Sequence, residues 1–208
     1  MSELLLTQKQ EDAVTEIINI AFHRTAAALS EIIGRRVLLD RPQLRLETVG
    51  RLAEVLKEMV GEEVATVQQI FEGPFAGSAL LLFRRSNAVA LGRLFAGEEP
   101  RTPDRIDEMT AEVLTEVGNI LLNACIGMLG NLFKVQVFFS VPRLRLESLD
   151  ALVKTLVIGG EELRYAVVVF TRFHVADATV NGYIIIVLGI TSLENLLEGI
   201  DRLEQEIV

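Results

Sequence analysis

Apolar residues recur at helical spacing from Gln8 to Ile33 and stop near Gly34, which predicts one long helix. A short apolar stretch at Val37 to Leu39 then reads as a strand, followed by a turn at Pro42. "LRLE" at Leu44 to Glu47 alternates apolar and polar, the pattern of a half-buried strand or extended edge. Leu52, Val55, Leu56 and Met59 return to helical spacing. Glu63 to Phe71 and Ser78 to Phe83 read as two strands joined by the turn residues of "EGPFAG", a hairpin. "SNAVALGRLFAG" predicts a short helix with Ser86 as its N-cap and Gly97 at its end.

The pattern then starts again. A helix is predicted from about Asp107 to Leu132, a strand at Val135 to Phe139, and apolar strands "AVVVF" and "YIIIVLGI" around a turn signal at Asn181-Gly182. A last helix is predicted from Thr191, with Glu194 in capping-box spacing and Leu193, Leu196, Leu197, Ile200, Leu203 and Ile207 on one apolar face. No apolar run reaches the roughly 20 residues of a membrane-spanning helix. Sliding the chain by one hundred positions aligns Asp12–Glu47 with Glu112–Glu147. Eleven residues are identical, from Thr15 and Glu16 through Asn19 to Pro42, Leu44, Arg45, Leu46 and Glu47, where about two are expected by chance. The chain holds two copies of one unit: about 1–97, a linker "EEPRTPD" near 98–104, and about 105–208. The predicted class is α/β, a single domain of two pseudo-twofold-related repeats with a central β-sheet and the two long helices on an outer face. Each copy alone has too few strands to cover its apolar surfaces.

At about 100° per residue, Asp12, Glu16, Asn19 and His23 fall within one narrow stripe, with Val14, Ile17, Ile18, Ala21 and Phe22 opposite. The second helix repeats this with Glu112, Glu116, Asn119 and Asn123. A polar outer face is the ordinary state of a surface helix. Here, though, Glu-x-x-Asn keeps both identity and spacing while its neighbours change, and Asn is a mediocre helix former that needs another reason to appear twice. Pro42 and Pro142 lack an N–H and are expected to end strands.

Composition narrows the function. The 208 residues carry 20 Lys and Arg against 29 Asp and Glu, a net charge of −9, which repels phosphate backbones and anionic lipid and argues against nucleic-acid binding or membrane insertion. Cys125 is the only cysteine, so there is no disulfide framework, and the reading is a cytoplasmic protein. His23 and His174 have no Ser or Cys partner suggested by spacing, and neither a phosphate-binding loop nor a Cys/His metal cluster is present.

Asp12-x3-Glu16-x2-Asn19-x22-Pro42, repeated as Glu112-x3-Glu116-x2-Asn119-x22-Pro142, resembles the signature of the CheC/CheX/FliY phosphatases of bacterial chemotaxis. "AAALS", "EVGNI" and "GSALLLF" add to the likeness, which covers essentially the whole chain. Two motifs without an added switch-complex domain resemble CheC rather than single-motif CheX or the longer FliY. The resemblance implies a phosphatase acting on the aspartyl phosphate of a CheY-like response regulator. Glu16 or Glu116 would pair with the regulator's lysine, and Asn19 or Asn119 would orient the attacking water. Asp12, His23, Glu112 and Asn123 would flank the docking face. It implies no cofactor of its own, Mg2+ held by the partner regulator, and the receptor deamidase CheD as a possible second partner. The alternative is a non-catalytic module that sequesters the regulator or CheD. The sequence departs from the family where Ile18 replaces the common Gly before Asn, and where His23 and Asn123 stand at an often small position. Gly118 keeps the Gly, so the second site is expected to carry most of the turnover.

Overall fold

The computed structural model describes residues 6–96, 105–158, 163–175 and 178–207. The expected linker at 98–104 and the expected helix end at Gly97 lie outside them. Helix α1 (Gln8–Ile33) is closed by a capping box between Thr7 and Gln10 and ends on Gly34 in the left-handed conformation. Strands β1 (Val37–Leu39) and β2 (Gln43–Thr48), helix α2 (Val49–Val60), the hairpin β3 (Glu63–Glu72) and β4 (Gly77–Arg84), and helix α3 (Arg85–Ala96) complete the first repeat. The second comprises α4 (Glu108–Leu132), β5 (Phe138–Phe139), β6 (Arg143–Ser148), α5 (Leu149–Ile158), β7 (Leu163–Val175), β8 (Ala178–Gly189) and α6 (Ile190–Ile207).

All eight strands of the described residues form one antiparallel sheet, in the order β1, β7, β8, β4, β3, β5, with β2 also on β7 and β6 also on β3. The edge strands of each repeat therefore pair with the hairpin of the other. At the centre Leu81 of β4 pairs with Ile184 of β8. These two are equivalent positions, since each lies opposite the matching valine, Val67 or Val169, of its own hairpin. The pseudo-twofold axis passes between them. One face of the sheet is covered by α1, α4, α3 and α6 over a core that includes Phe22, Leu91, Leu121, Phe173 and Leu196. The other is covered by α2 and α5 over Leu52, Leu56, Leu152 and Tyr183.

Each edge is one strand broken by one extra residue. From Leu39↔Phe173 to Gln43↔Phe170 the edge advances four residues and β7 three. From Phe139↔Phe71 to Arg143↔Gln68 the second edge does the same against β3. These are β-bulges, and Pro42 and Pro142 sit in them, where the missing N–H costs no ladder bond.

Several expectations need correction. Asn181 and Gly182 lie inside β8, paired with Arg172 and Thr171, and do not form a turn. Gly182 is there for space: a Cβ would meet Phe83 at 2.6 Å and Phe173 at 2.7 Å, two rings that pack 5.6 Å apart. Ser86 and Thr191 are not N-caps, because β4 and β8 run directly into α3 and α6 at Arg85 and Ile190. The strand expected from Val135 shrinks to Phe138–Phe139. Lys134 is left-handed and the Val135 N–H returns to the Gly130 carbonyl, so these residues finish the helix. Helix α5 was not foreseen. Finally, α4 is long and apolar enough to cross a membrane by length and composition, with a mean hydropathy of 1.5, and half of that stretch is buried in the fold.

Candidate functional site

The two long helices start from different caps. Thr7 caps α1, while the Asp107 carboxylate accepts from Thr110 N–H at 2.8 Å at the head of α4. The Thr110 hydroxyl first, and then that backbone bond, hold the Asp107 carboxyl below its ordinary value. From there the burial sequence of residues 11–19 is repeated residue for residue in 111–119. Asp12, Glu16, Glu112 and Glu116 are exposed, Asn19 and Asn119 are half-buried, and His23 is exposed where Asn123 is half-buried. The stripe thus faces outward on both helices, with Val14, Ile17 and Ile18, or Leu114, Val117 and Gly118, against the core. Neither Glu16 nor Glu116 makes an ion pair among the described residues. Glu116 also rims a small, mostly apolar cavity of about 120 Å³ where the end of α1, with Leu29 and Ile33, meets the start of α4.

Below the stripes the two sites part. A Cβ on Gly118 would stand 2.5 Å from a methyl of Val67, so α4 rests directly on β3. In α1 the same position is Ile18, 1% exposed. Its branched side chain fills the gap that Gly118 closes by contact. Against β3, the Asn119 Oδ1 accepts from Gln69 Nε2 at 3.2 Å and from Asn123 Nδ2 at 2.9 Å. The same Gln69 Nε2 donates to the main-chain carbonyl of Ser140 at 3.1 Å. Ser140 lies in the bulge of the second edge, where the ladder leaves its carbonyl available. Gln69 is 2% exposed, and its own Oε1 and the Asn123 Oδ1 find no hydrogen-bond partner among the described residues. Leaving such an acceptor buried and unpaired costs about 1–3 kcal/mol each.

In the first repeat no described residue forms a side-chain hydrogen bond with Asn19. Gln43↔Phe170 and Arg143↔Gln68 make Phe170 the counterpart of Gln68, so Thr171 stands where Gln69 does. Thr171 is fully buried, and its hydroxyl has no hydrogen-bond partner among the described residues. The bulge residue there, Asp40, instead engages His174 at 2.7 Å and Arg172 at 3.8 Å.

The chain is 25% identical over 150 residues to the CheY-P phosphatase CheC of Bacillus subtilis, covering 71% of each. It is 26% identical over 142 residues to the flagellar motor switch phosphatase FliY of the same organism, 68% of this chain but only 36% of FliY. The crystal structure of FliY from Thermotoga maritima shares the fold with a TM-score of 0.78 at 18% identity, over 96% of this chain and 99% of that one. The chain is thus similar in sequence to CheC and FliY and has the fold of FliY. No family model matches it.

The stripe residues were legible from spacing, whereas Gln69 and the Ser140 carbonyl were not. Gln69 is fifty positions from Asn119, in a strand that otherwise reads as apolar, and its reach depends on the bulge. Asn123, expected to flank a docking face, donates to Asn119. Among the described residues no group of three or more His, Cys, Asp or Glu is placed to hold a metal. Cys125 is buried, and burial pushes its thiol up to about 12, so it offers no thiolate nucleophile.

Proposed function

We propose that this protein dephosphorylates the aspartyl phosphate of a CheY-like response regulator in the cytoplasm, through Glu16/Asn19 and, chiefly, Glu116/Asn119. The observation that carries the reading is the Glu-x-x-Asn pair, kept twice and turned outward on both long helices. An exposed carboxylate without an intramolecular cation is free to pair with a regulator's lysine. A neutral amide three residues along the same helix reaches the phosphoryl group without repelling it.

The chemistry asked of this chain is small. Water attacks phosphorus, the bond from phosphorus to the aspartyl oxygen breaks, inorganic phosphate leaves and the carboxylate is restored. The regulator's own Mg2+ offsets the developing charge, so a helper contributes by holding the water in line. The similarity to a relative named CheY-P phosphatase supports the substrate class. CheD is the proposed second partner.

The deciding experiment phosphorylates a cognate regulator with a small-molecule donor and follows phosphate loss with and without the protein. Acceleration supports the enzyme. Binding without acceleration overturns it in favour of a module that sequesters the regulator.

A further inference from the structure

Resting on that proposed phosphatase reading, we infer that Gln69 is a positioning residue: it fixes the Asn119 carboxamide with its oxygen inward, so that the second site presents a hydrogen-bond donor to the reacting water. The orientation is set by a group that cannot turn. The Ser140 main-chain carbonyl only accepts, so the Gln69 amide nitrogen must point at it. That nitrogen is also 3.2 Å from Asn119, so the atom facing it must be the acceptor Oδ1. Asn123 Nδ2 takes the oxygen's second lone pair at 2.9 Å. Reversing Asn119 would set its NH2 against two donors. Reversing Gln69 to relieve this would set its oxygen against the Ser140 carbonyl. With its oxygen doubly engaged, Asn119 has only Nδ2 left to offer outward.

The chain of contacts depends on the bulge. Without the extra residue the Ser140 carbonyl would be committed to the ladder with β3; with it, the carbonyl turns to the Gln69 side chain. Pro142 keeps the edge from re-pairing there, since it has no N–H to give. Asn119 and Pro142, with 22 residues between them in sequence, are thereby linked through Gln69 and the bulge at Ser140. The first repeat has the bulge and the proline, but Thr171 is too short to join a carbonyl to Asn19, and its hydroxyl is unpartnered. Among the described residues, no side-chain hydrogen bond therefore fixes the Asn19 carboxamide.

The test measures steady-state dephosphorylation and regulator affinity for Q69L, N119A and T171V in the full chain. Q69L keeps volume and removes the donor. It is expected to lower kcat on the order of ten- to a hundredfold with regulator affinity within about twofold of wild type, whereas T171V is expected to keep wild-type turnover. A purely structural role for Gln69 would lower the melting temperature and leave the kcat of the folded fraction unchanged, and that outcome overturns the inference. N119A separates the two levels. If it loses turnover while Q69L does not, the phosphatase reading stands and the positioning role falls. If N119A alone keeps full turnover, the lead of the second site falls and the positioning role with it; if N119A combined with N19A keeps full turnover, the phosphatase mechanism itself falls. Should Q69L fail to fold, side-chain amide relaxation in the wild-type protein decides: Asn119 is expected to be rigid and Asn19 flexible, with an order parameter below about 0.6. Equal order in the two would overturn the inference.

Discussion

The two Glu-x-x-Asn helices present nearly the same surface and rest on different floors. Residues 11–19 and 111–119 share one burial pattern, so a partner approaching from solvent meets two similar stripes. Beneath the second lie Gly118 in contact with Val67 and a carboxamide held by Gln69 and Asn123. Beneath the first lie a buried Ile18 and an unpartnered Thr171. The outer turns differ as well: Asp40 is engaged by His174 and Arg172, whereas its counterpart Ser140 gives a carbonyl to the site. A duplicated motif can therefore keep its visible residues while losing the support that orients them. For a reaction limited by positioning, that support decides the rate.

The largest separation between the halves should come from the asparagines. N119A is expected to lower dephosphorylation of the regulator roughly a hundredfold, and N19A by no more than about threefold. Equal losses would mean that the floors do not matter. Next are the packing positions, read by denaturant unfolding. I18A removes a buried branched side chain and is expected to cost about 2–5 kcal/mol. G118A drives a methyl into Val67 and is expected to cost about 1–3 kcal/mol, with a loss of turnover that I18A does not share once the folded fractions are equal.

Cys125 and Thr25 occupy equivalent buried positions. With its thiol pushed up to about 12 by burial, Cys125 stays neutral across the ordinary range. It should react with a disulfide reagent only as fast as the protein opens, and immediate labelling of the native protein would contradict its placement. The smallest effect lies in the caps. Because the folded Asp107 carboxyl is below its ordinary value, its contribution is present above the unfolded pKa and is lost as pH falls through the folded one. D107N should therefore destabilise α4 at neutral pH and lose that effect in acid. T7A at the head of α1 should show no such pH dependence.

How far the sequence carried this picture depended on the range over which each signal acts. Helix α1 and strand β1 were legible to the residue, since apolar spacing and Gly34 are local. Asn181-Gly182 misled because a glycine that makes room for Phe83 and Phe173 looks the same in sequence as one that makes a turn. Helix α5 escaped because "LDALVKTLVI" is apolar nearly throughout and lacks a clear polar face. The stripe residues were legible because the repeat exposed them. Gln69 was not, since its role arises from the one-residue offset between two strands, which neither strand reveals alone.

The exchange of edge strands between repeats also bears on how the chain is made. Leu44 pairs with Val169, 125 positions further on (169 − 44), so β2 leaves the ribosome long before its neighbour exists. During that interval β2 and the outer side of β3 are open edges, the kind of surface that pairs with other chains. Completion of the sheet waits for β7 and for β8, which joins it to β4, and contacts this distant in sequence form slowly. The newborn first half is therefore the stage at which this protein is most exposed to aggregation, and chaperone demand should fall once residue 189, the end of β8, has emerged.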